Sequence, residues 1–151
     1  MKLETIEKHI VVNEPVQTVY NQWTQFEEFP RFMEGIETVT QLDDNHLHWV
    51  ANIGGKNLEW DATISEQIPE KRIVWYSDKG AVHSGMVSFN SVGPELTRVT
   101  LRIDYEPEGI VEETGDKLGL VSRRIEGDLK RFKKFIEAHG TATGAWRGTV
   151  S

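Results

Sequence analysis

Hydrophobic positions near the C-terminal end of the chain recur in alternating steps of three and four residues. The stripe consists of Leu118, Val121, Ile125, Leu129, Phe132 and Ile136. This spacing places the whole set on one face of an α-helix, and such a face must be buried. The sequence therefore predicts one long amphipathic helix, which begins at about residue 111 or later and ends at Ala138, before the stop signal His139-Gly140.

The segments that precede this helix alternate between apolar and polar residues with a period of two, as in a β-strand with one buried face. The clearest case is the apolar set Val99, Leu101, Ile103 and Tyr105, which alternates with Arg98, Thr100, Arg102 and Asp104. Turn signals such as Asp43-Asp44-Asn45 and Gly54-Gly55 separate the segments. Successive hairpins indicate an antiparallel meander. We predict a first strand over 4–12 and six more between residues 36 and 105.

Between the first two strands the apolar spacing becomes helical. Val16, Val19, Tyr20 and Trp23 follow Pro15, whose fixed φ suits the first turn of a helix. The spacing continues through Phe26, Phe29, Phe32 and Met33, but Pro30 interrupts a regular helix. Two short helices are therefore predicted, the second of them within residues 26–34.

Together these elements predict an α+β domain, in which a bent antiparallel sheet of about seven strands wraps around the long C-terminal helix. A sheet curled around a single helix tends to leave an enclosed space between the two. We assign residues 1–139 to this domain. Residues 140–151 are rich in Gly, Thr and Ala, and we predict that they form a flexible C-terminal tail.

Composition narrows the functional classes. The chain has 151 residues, no cysteine and a formal net charge of -7. The negative charge disfavours nonspecific nucleic-acid binding, which needs clustered Lys and Arg. Charged residues interrupt the apolar positions of Met1 to Val12, so a signal peptide is not expected there, and no apolar stretch is long enough to span a membrane. With no disulfide framework, we expect a cytoplasmic protein, of unpredicted oligomeric state.

Several short motifs occur along the chain in a characteristic order. They are Val12-Asn13-Glu14-Pro15-Val16, Val19-Tyr20, Trp23, Phe26, Phe29-Pro30, Phe32-Met33, Trp49, Trp60-Asp61-Ala62, Pro69, Arg72-Ile73-Val74-Trp75, Gly85-Met86-Val87-Ser88-Phe89, Thr97-Arg98-Val99 and Asp128-Leu129-Lys130-Arg131-Phe132-Lys133. In this order they resemble the START and Bet v 1-like superfamily (SRPBCC), whose helix-grip fold has the predicted architecture. Within it, the chain is similar to the polyketide cyclase/dehydrase group, which includes coenzyme Q-binding proteins. The resemblance covers residues 3–138.

The predicted cavity and this resemblance together imply a protein that binds a small hydrophobic ligand: a lipid, an isoprenoid quinone or an aromatic polyketide-like molecule. The alternative is a cyclase/dehydrase-type enzyme that acts on a hydrophobic substrate in the same cavity. A third possibility is an interaction module with a vestigial cavity, in which an exposed apolar patch or the basic helix face binds a protein partner. None of these functions requires a cofactor.

Candidate ligand-binding residues are large apolar side chains predicted to lie on the inner faces, because aromatic rings suit planar or isoprenoid ligands. His83 and Tyr105 are added as polar groups that would orient the ligand. The complete set is Trp23, Phe29, Phe32, Met33, Trp49, Trp60, Trp75, His83, Val87, Phe89, Leu101, Tyr105, Leu118, Val121 and Ile125.

Catalysis would need an inward-facing acid or base, and three residues qualify by strand alternation: His83, Tyr105 and Glu66. Strict alternation places Glu66 on the same face of the sheet as Ile64, although a bulge near Pro69 would turn it to the other face. Arg123 or Arg124 on the long helix could anchor an acidic ligand at the cavity mouth. His46 and His48 have no third ligand at a suitable spacing, so no metal site is predicted.

Overall fold

A computed structural model describes residues 4–53, 56–77, 82–105 and 117–150. At residues 4, 53, 56, 82, 83, 105 and 117–121 it describes the backbone alone. The elements, in chain order, are β1 Glu4–Val12, α1 Val16–Trp23, a 3-10 helix Phe26–Arg31, β2 Ile36–Asp43, β3 His46–Ile53, β4 Lys56–Ile68, β5 Arg72–Ser77, β6 Val82–Gly93, β7 Leu96–Tyr105 and α2 Lys117–His139.

The strands form one seven-stranded sheet in the order β1-β7-β6-β5-β4-β3-β2. Every neighbouring pair is antiparallel, so β2 to β7 form a meander and β1 closes against β7. The bent sheet and the C-terminal helix are the predicted α+β, helix-grip architecture. The boundary at residue 139 between domain and tail stays a prediction.

Alternation along the strands decides which side chains face α2. In β3, Leu47, Trp49 and Ala51 are buried, whereas the His48 side chain between them is partly exposed. The paired strand β4 follows the same rule with Trp60, Ala62 and Ile64. Successive side chains of a β-strand point to opposite faces of the sheet. The inner face is therefore apolar and the outer face is polar.

The second half of α2 packs through an aromatic cluster. The helix buries Ile125, Leu129, Phe132 and Ile136, which belong to the predicted stripe. The ring centroid of Phe132 lies 4.8 Å from that of Trp23 and 5.2 Å from that of Phe32. Both pairs are close to edge-to-face, the geometry that the ring quadrupoles favour. This contact fixes α2 against α1 and the 3-10 helix.

Much of the basic character of α2 is neutralised locally. Lys133 Nζ lies 2.6 Å from Glu137 Oε2, and Lys130 Nζ lies 3.9 Å from Glu126 Oε1, each one helical turn away. Such pairs are typical of a solvated helix face. In the part of the chain that the structure describes, no helix is long and apolar enough to cross a membrane.

Residues 140–150, predicted to be a flexible tail, run back across α1 and the β4–β5 turn. Val150 exchanges two backbone hydrogen bonds with Gln67, of 2.8 and 3.0 Å. Thr143 is paired with the fully buried Gln22: the Gln22 amide donates to Thr143 Oγ1 at 3.0 Å, and the Thr143 amide donates to Gln22 Oε1 at 2.8 Å. Composition did not suggest these contacts.

The variant Thr143→Val tests whether this segment stabilises the domain. It removes the acceptor of the Gln22 amide at nearly constant volume, so we expect a loss of about 1 kcal/mol in the free energy of unfolding. Urea denaturation measures it. Thr141→Val, the same change at a side chain that makes no hydrogen bond within the described residues, serves as the control, and equal midpoints for the two variants would contradict the expectation.

Candidate functional site

A cavity of about 140 Å³ lies between the inner face of the sheet and the middle of α2. This volume is close to that of an engineered protein cavity of about 150 Å³ that accommodates benzene. Its lining consists of aromatic and aliphatic side chains and of two charged ones, Arg124 and Asp128. The lining residues are Trp23, Phe26, Phe29, Met33, Ile36, Leu47, Trp49, Trp60, Ile64, Ile73, Trp75, Leu101, Ile103, Arg124, Ile125 and Asp128.

One wall of the cavity is a stacked pair of tryptophans. Trp49 and Trp60 face each other across β3 and β4, and their rings are 5.8 Å apart and tilted by only 7°. Phe29 contacts the Trp49 ring at 5.6 Å. Direct cross-strand neighbours on one face are close enough to pack in this way. The result is a flat, rigid aromatic surface beside the void.

A glycine positions a third tryptophan. Trp75 in β5 is directly paired with Gly85 in β6. A Cβ at Gly85 would come closer than 3.0 Å to the Trp75 indole, a separation that real Cβ atoms essentially never show. The absence of a side chain at this position therefore lets the indole lie across the neighbouring strand. Trp75 takes its place in the lining because of this glycine.

The edge of the cavity beside α2 is polar. Arg124, Asp128 and Arg131 lie on one side of the helix, and together with the backbone of residues 32–35 they form what we call the polar clasp. Arg124 Nη1 donates to the Glu34 carbonyl at 2.6 Å, and Arg131 Nε donates to the Phe32 carbonyl at 2.9 Å. Asp128 Oδ1 accepts from the Glu34 amide at 3.2 Å. Helix α2 is thereby connected to the segment that leads into β2.

Gly35 makes the arrangement of the polar clasp possible. Its φ is +88°, in the left-handed region that favours glycine. A Cβ there would also lie 2.6 Å from Arg124 Nη1. Both the backbone conformation and the approach of the guanidinium therefore depend on the missing side chain.

Asp128 is the ionisable group that burial in the clasp perturbs most strongly. Its side chain is only 13% exposed, and desolvation raises the pKa of its carboxyl from 3.8 to about 6. Arg131, whose Nη2 donates to Asp128 Oδ1 at 2.5 Å, lowers the pKa, as does the charge of Arg124. These contributions offset the desolvation only in part. A carboxyl with such a pKa can exchange a proton near neutral pH.

Comparison with known proteins places this architecture in a family. A family model described as polyketide cyclase / dehydrase and lipid transport matches residues 12–134. The chain belongs to this family.

The chain is also similar to a curated protein and to two solved structures. A curated protein of Streptomyces lincolnensis, described as an uncharacterized 17.2 kDa protein in the melC2-rnhH intergenic region, is 48% identical over 149 residues, covering 98% of this chain and 99% of the relative. Two solved structures share the fold. They are a START superfamily protein from Mycobacterium smegmatis (16% identity, TM-score 0.76, 89% and 98% coverage) and the Zhui aromatase/cyclase from Streptomyces sp. R1128 (17%, 0.76, 96% and 100%).

The structure brings together eight of the residues that the sequence singled out for ligand binding. These lining residues are Trp23, Phe29, Met33, Trp49, Trp60, Trp75, Leu101 and Ile125. Six further apolar residues also line the cavity, namely Phe26, Ile36, Leu47, Ile64, Ile73 and Ile103. Each occupies an apolar position in the alternation of its strand or in the helical spacing, and this pattern could have identified them as candidates. A binding role for these residues stays a prediction.

Three other candidates are buried beside the cavity and do not line it. Phe32 packs on Phe132, and Phe89 packs against Tyr20 with ring centroids 5.4 Å apart. Val87 is fully buried. Alternation identifies the inner face of the sheet, but it does not distinguish a residue beside a void from one that packs in the core.

The remaining candidates fall outside the described side chains. They are His83, Tyr105, Leu118 and Val121. The backbone does show that the pairing of β6 with β7 shifts between Val82 and Ser84, so His83 lies at an irregularity of the strand. Strict alternation is therefore a poor guide to its direction.

Glu66 does not lie on the inner face, contrary to its expected parity with Ile64. The register of β4 against β5 shifts between Ile64 and Glu66, and this bulge exchanges the two faces. Gln67 takes the buried position, while Glu66 receives a 2.5 Å hydrogen bond from Arg72 Nε, which lowers the pKa of the Glu66 carboxyl. Glu66 does not line the cavity.

Sequence reasoning missed Asp128 as a site residue. Its position was a usable signal, because Asp128 follows Ile125 by three residues and precedes Phe132 by four, both members of the apolar stripe. A carboxyl at that spacing must lie at the edge of the buried face. Arg124, named as a possible anchor, lines the cavity one turn before Asp128.

His48, on the outer face, contacts two carboxylates. Its Nδ1 lies 2.6 Å from Asp61 Oδ1 and its Nε2 lies 2.7 Å from Glu59 Oε2. Hydrogen bonds to Asp61 and Glu59 raise the pKa of the imidazole. Among the residues that the structure describes, no group of His, Asp and Glu could hold a metal ion.

Proposed function

We propose that this protein binds a small hydrophobic molecule in the cavity between the sheet and α2. The observation that carries the proposal is the cavity itself, which is lined by four tryptophans and further apolar side chains. Burial of apolar surface stabilises a bound ligand by about 25 cal/mol for each Å² removed from water. A concave apolar wall with a few polar groups is the usual form of a ligand site.

The volume of the cavity favours one kind of ligand among a lipid, an isoprenoid quinone and an aromatic polyketide-like molecule. A void of about 140 Å³ suits a single aromatic ring, and the flat Trp49–Trp60 wall suits a planar one. We propose that the ligand inserts a ring between the sheet and α2. The match of the chain to a family described as polyketide cyclase / dehydrase and lipid transport supports a hydrophobic ligand.

A cavity-filling variant tests the proposal. Leu101 is buried and lines the cavity, so Leu101→Phe should occupy much of the void. We expect ethylbenzene to bind the unmodified protein and to bind Leu101→Phe at least about tenfold more weakly, as measured by isothermal titration calorimetry. Leu42→Phe makes the same change at a position that is 58% exposed, and it should bind ethylbenzene as the unmodified protein does.

Absence of ethylbenzene binding to the unmodified protein, or equal affinity for Leu101→Phe, would contradict the proposal. Native mass spectrometry of protein purified from cells then identifies the natural ligand. We expect an added mass that Leu101→Phe loses and Leu42→Phe retains.

One observation favours an enzymatic function as the second candidate. Asp128 lines the cavity, and the pKa of its carboxyl is raised to about 6, which suits a general acid or base. A cyclisation with dehydration would release one water from the substrate. We expect the ligand recovered from cells on Asp128→Asn to lose the mass of one water on incubation with the unmodified protein and to stay intact with Asp128→Asn. An unchanged mass in both incubations would leave binding as the function.

A further inference from the structure

Two hydrogen-bond donors in the lining of the cavity lack a partner. Trp49 Nε1 and Arg124 Nε are buried nitrogen atoms without a hydrogen-bond acceptor in the described part of the chain. Gln67 Oε1 and Ser77 Oγ are also unpaired there, but neither Gln67 nor Ser77 lines the cavity. Buried polar groups are nearly always hydrogen-bonded in native proteins, so an unpaired group at a binding cavity points to a missing partner.

Both donors are held in place by other contacts. The Trp49 ring is stacked on Trp60 and contacts Phe29, which fixes the direction of its N–H. Arg124 is anchored by the bond from its Nη1 to the Glu34 carbonyl, which leaves Nε for another partner. An indole N–H and a guanidinium N–H can only donate, so each of them requires an acceptor atom.

We infer that the cavity selects a neutral ligand with an oxygen acceptor, such as a ketone carbonyl, that the N–H groups of Trp49 and Arg124 recognise. The inference rests on the proposed function and specifies the polar part of its ligand. A neutral oxygen is favoured over a carboxylate because the charges nearby are balanced: Arg124 and Arg131 are matched by Asp128 and by Glu34, whose carboxylate lies 4.0 Å from Arg124 Nη1.

Two probes of similar shape separate recognition of the acceptor from hydrophobic binding. Acetophenone carries a carbonyl, whereas ethylbenzene has a methylene group in its place. In a cavity without free donors, ethylbenzene binds more tightly, because burial of an unpaired carbonyl is unfavourable. With these donors available, we expect acetophenone to bind about tenfold more tightly than ethylbenzene in calorimetric titrations. Benzoate should bind more weakly than acetophenone.

Matched variants assign the preference to the two donors. Trp49→Phe removes the indole N–H but keeps an aromatic ring, and Arg124→Lys keeps the charge but removes Nε. We expect each to reduce the preference for acetophenone to less than about threefold. Trp146→Phe, the same change at a tryptophan that does not line the cavity, should retain the tenfold preference. The ethylbenzene affinity of each variant reports whether its cavity is still formed.

The outcomes separate this inference from the proposal on which it rests. Ethylbenzene binding that equals or exceeds acetophenone binding in the unmodified protein overturns the inference, since the donors are then satisfied by water, but it leaves the proposed function intact. A preference that survives both Trp49→Phe and Arg124→Lys also overturns it. Failure of both probes to bind would overturn the proposed function itself.

Discussion

The variant Gly85→Ala should be less stable than the unmodified protein and should bind aromatic ligands more weakly. The added Cβ would come closer than 3.0 Å to the Trp75 indole, and this rigid ring can only respond by rotating away from β6. We expect the free energy of unfolding to fall by about 1–3 kcal/mol, as for other overpacked sites. Because Trp75 lines the cavity, ethylbenzene affinity should fall at least about tenfold. Urea denaturation and calorimetry measure the two effects.

Gly127→Ala is the matched control. Gly127 lies within α2, where alanine is favoured over glycine by about 1 kcal/mol. A Cβ there would lie 3.1 Å from Arg131 Nη1, a contact that a shift of a few tenths of an ångström relieves. We expect this variant to be as stable as the unmodified protein or more stable. If Gly85→Ala behaved in the same way, glycine would not be what positions Trp75.

The variant Asp128→Asn should change how stability depends on pH. The pKa of Asp128 is about 6 in the folded protein and close to 3.8 in the unfolded chain, so the folded state binds the proton more tightly. The stability that this carboxyl contributes is therefore lost as pH rises from about 4 to about 6. The shift corresponds to about 2–3 kcal/mol. The amide that Asp128→Asn introduces stays neutral at every pH. We therefore expect the free energy of unfolding of Asp128→Asn, relative to that of the unmodified protein, to rise by this amount between pH 4 and pH 7.

Measuring the difference between the two proteins at each pH isolates Asp128, because most other carboxylates titrate equally in both. The charged groups around it, Arg124, Arg131 and Glu34, are present in both proteins. Glu66→Gln is the control. The hydrogen bond from Arg72, which stays charged throughout, lowers the pKa of Glu66 below 4.5, so its stability difference should stay nearly constant from pH 5 to pH 7. A constant difference for Asp128→Asn as well would refute the assigned environment.

Some features of the site were accessible from the sequence because they depend on local geometry. Trp49 and Trp60 share the parity of their apolar neighbours, so the pattern predicted that both would face α2, and the structure confirms this. The position of Ile125 on the buried face of the helix followed from the same reasoning. Period and spacing are properties of a single element, and they are visible without knowledge of its partners.

Other features escaped the sequence because they depend on contacts between elements. The sequence allowed for a bulge near Pro69 but could not establish it, because a bulge is a mismatch of register between two strands, here between Ile64 and Glu66. The high pKa of Asp128 arises from burial against residues 32–35, far away in the chain. The same holds for the C-terminal segment, whose residues gain their partners only through contact with α1 and β4.

The amino-acid sequence by itself determined the order and type of the elements, the inner face of the sheet and the aromatic character of what lies there, since these follow from hydrophobic periodicity and turn chemistry. The tertiary structure alone decided the size of the cavity, the approach of Trp75 over Gly85 and the pairing of Arg124 and Asp128 with the backbone of residues 32–35. Packing distances and desolvation set these properties, and both exist only once distant segments meet.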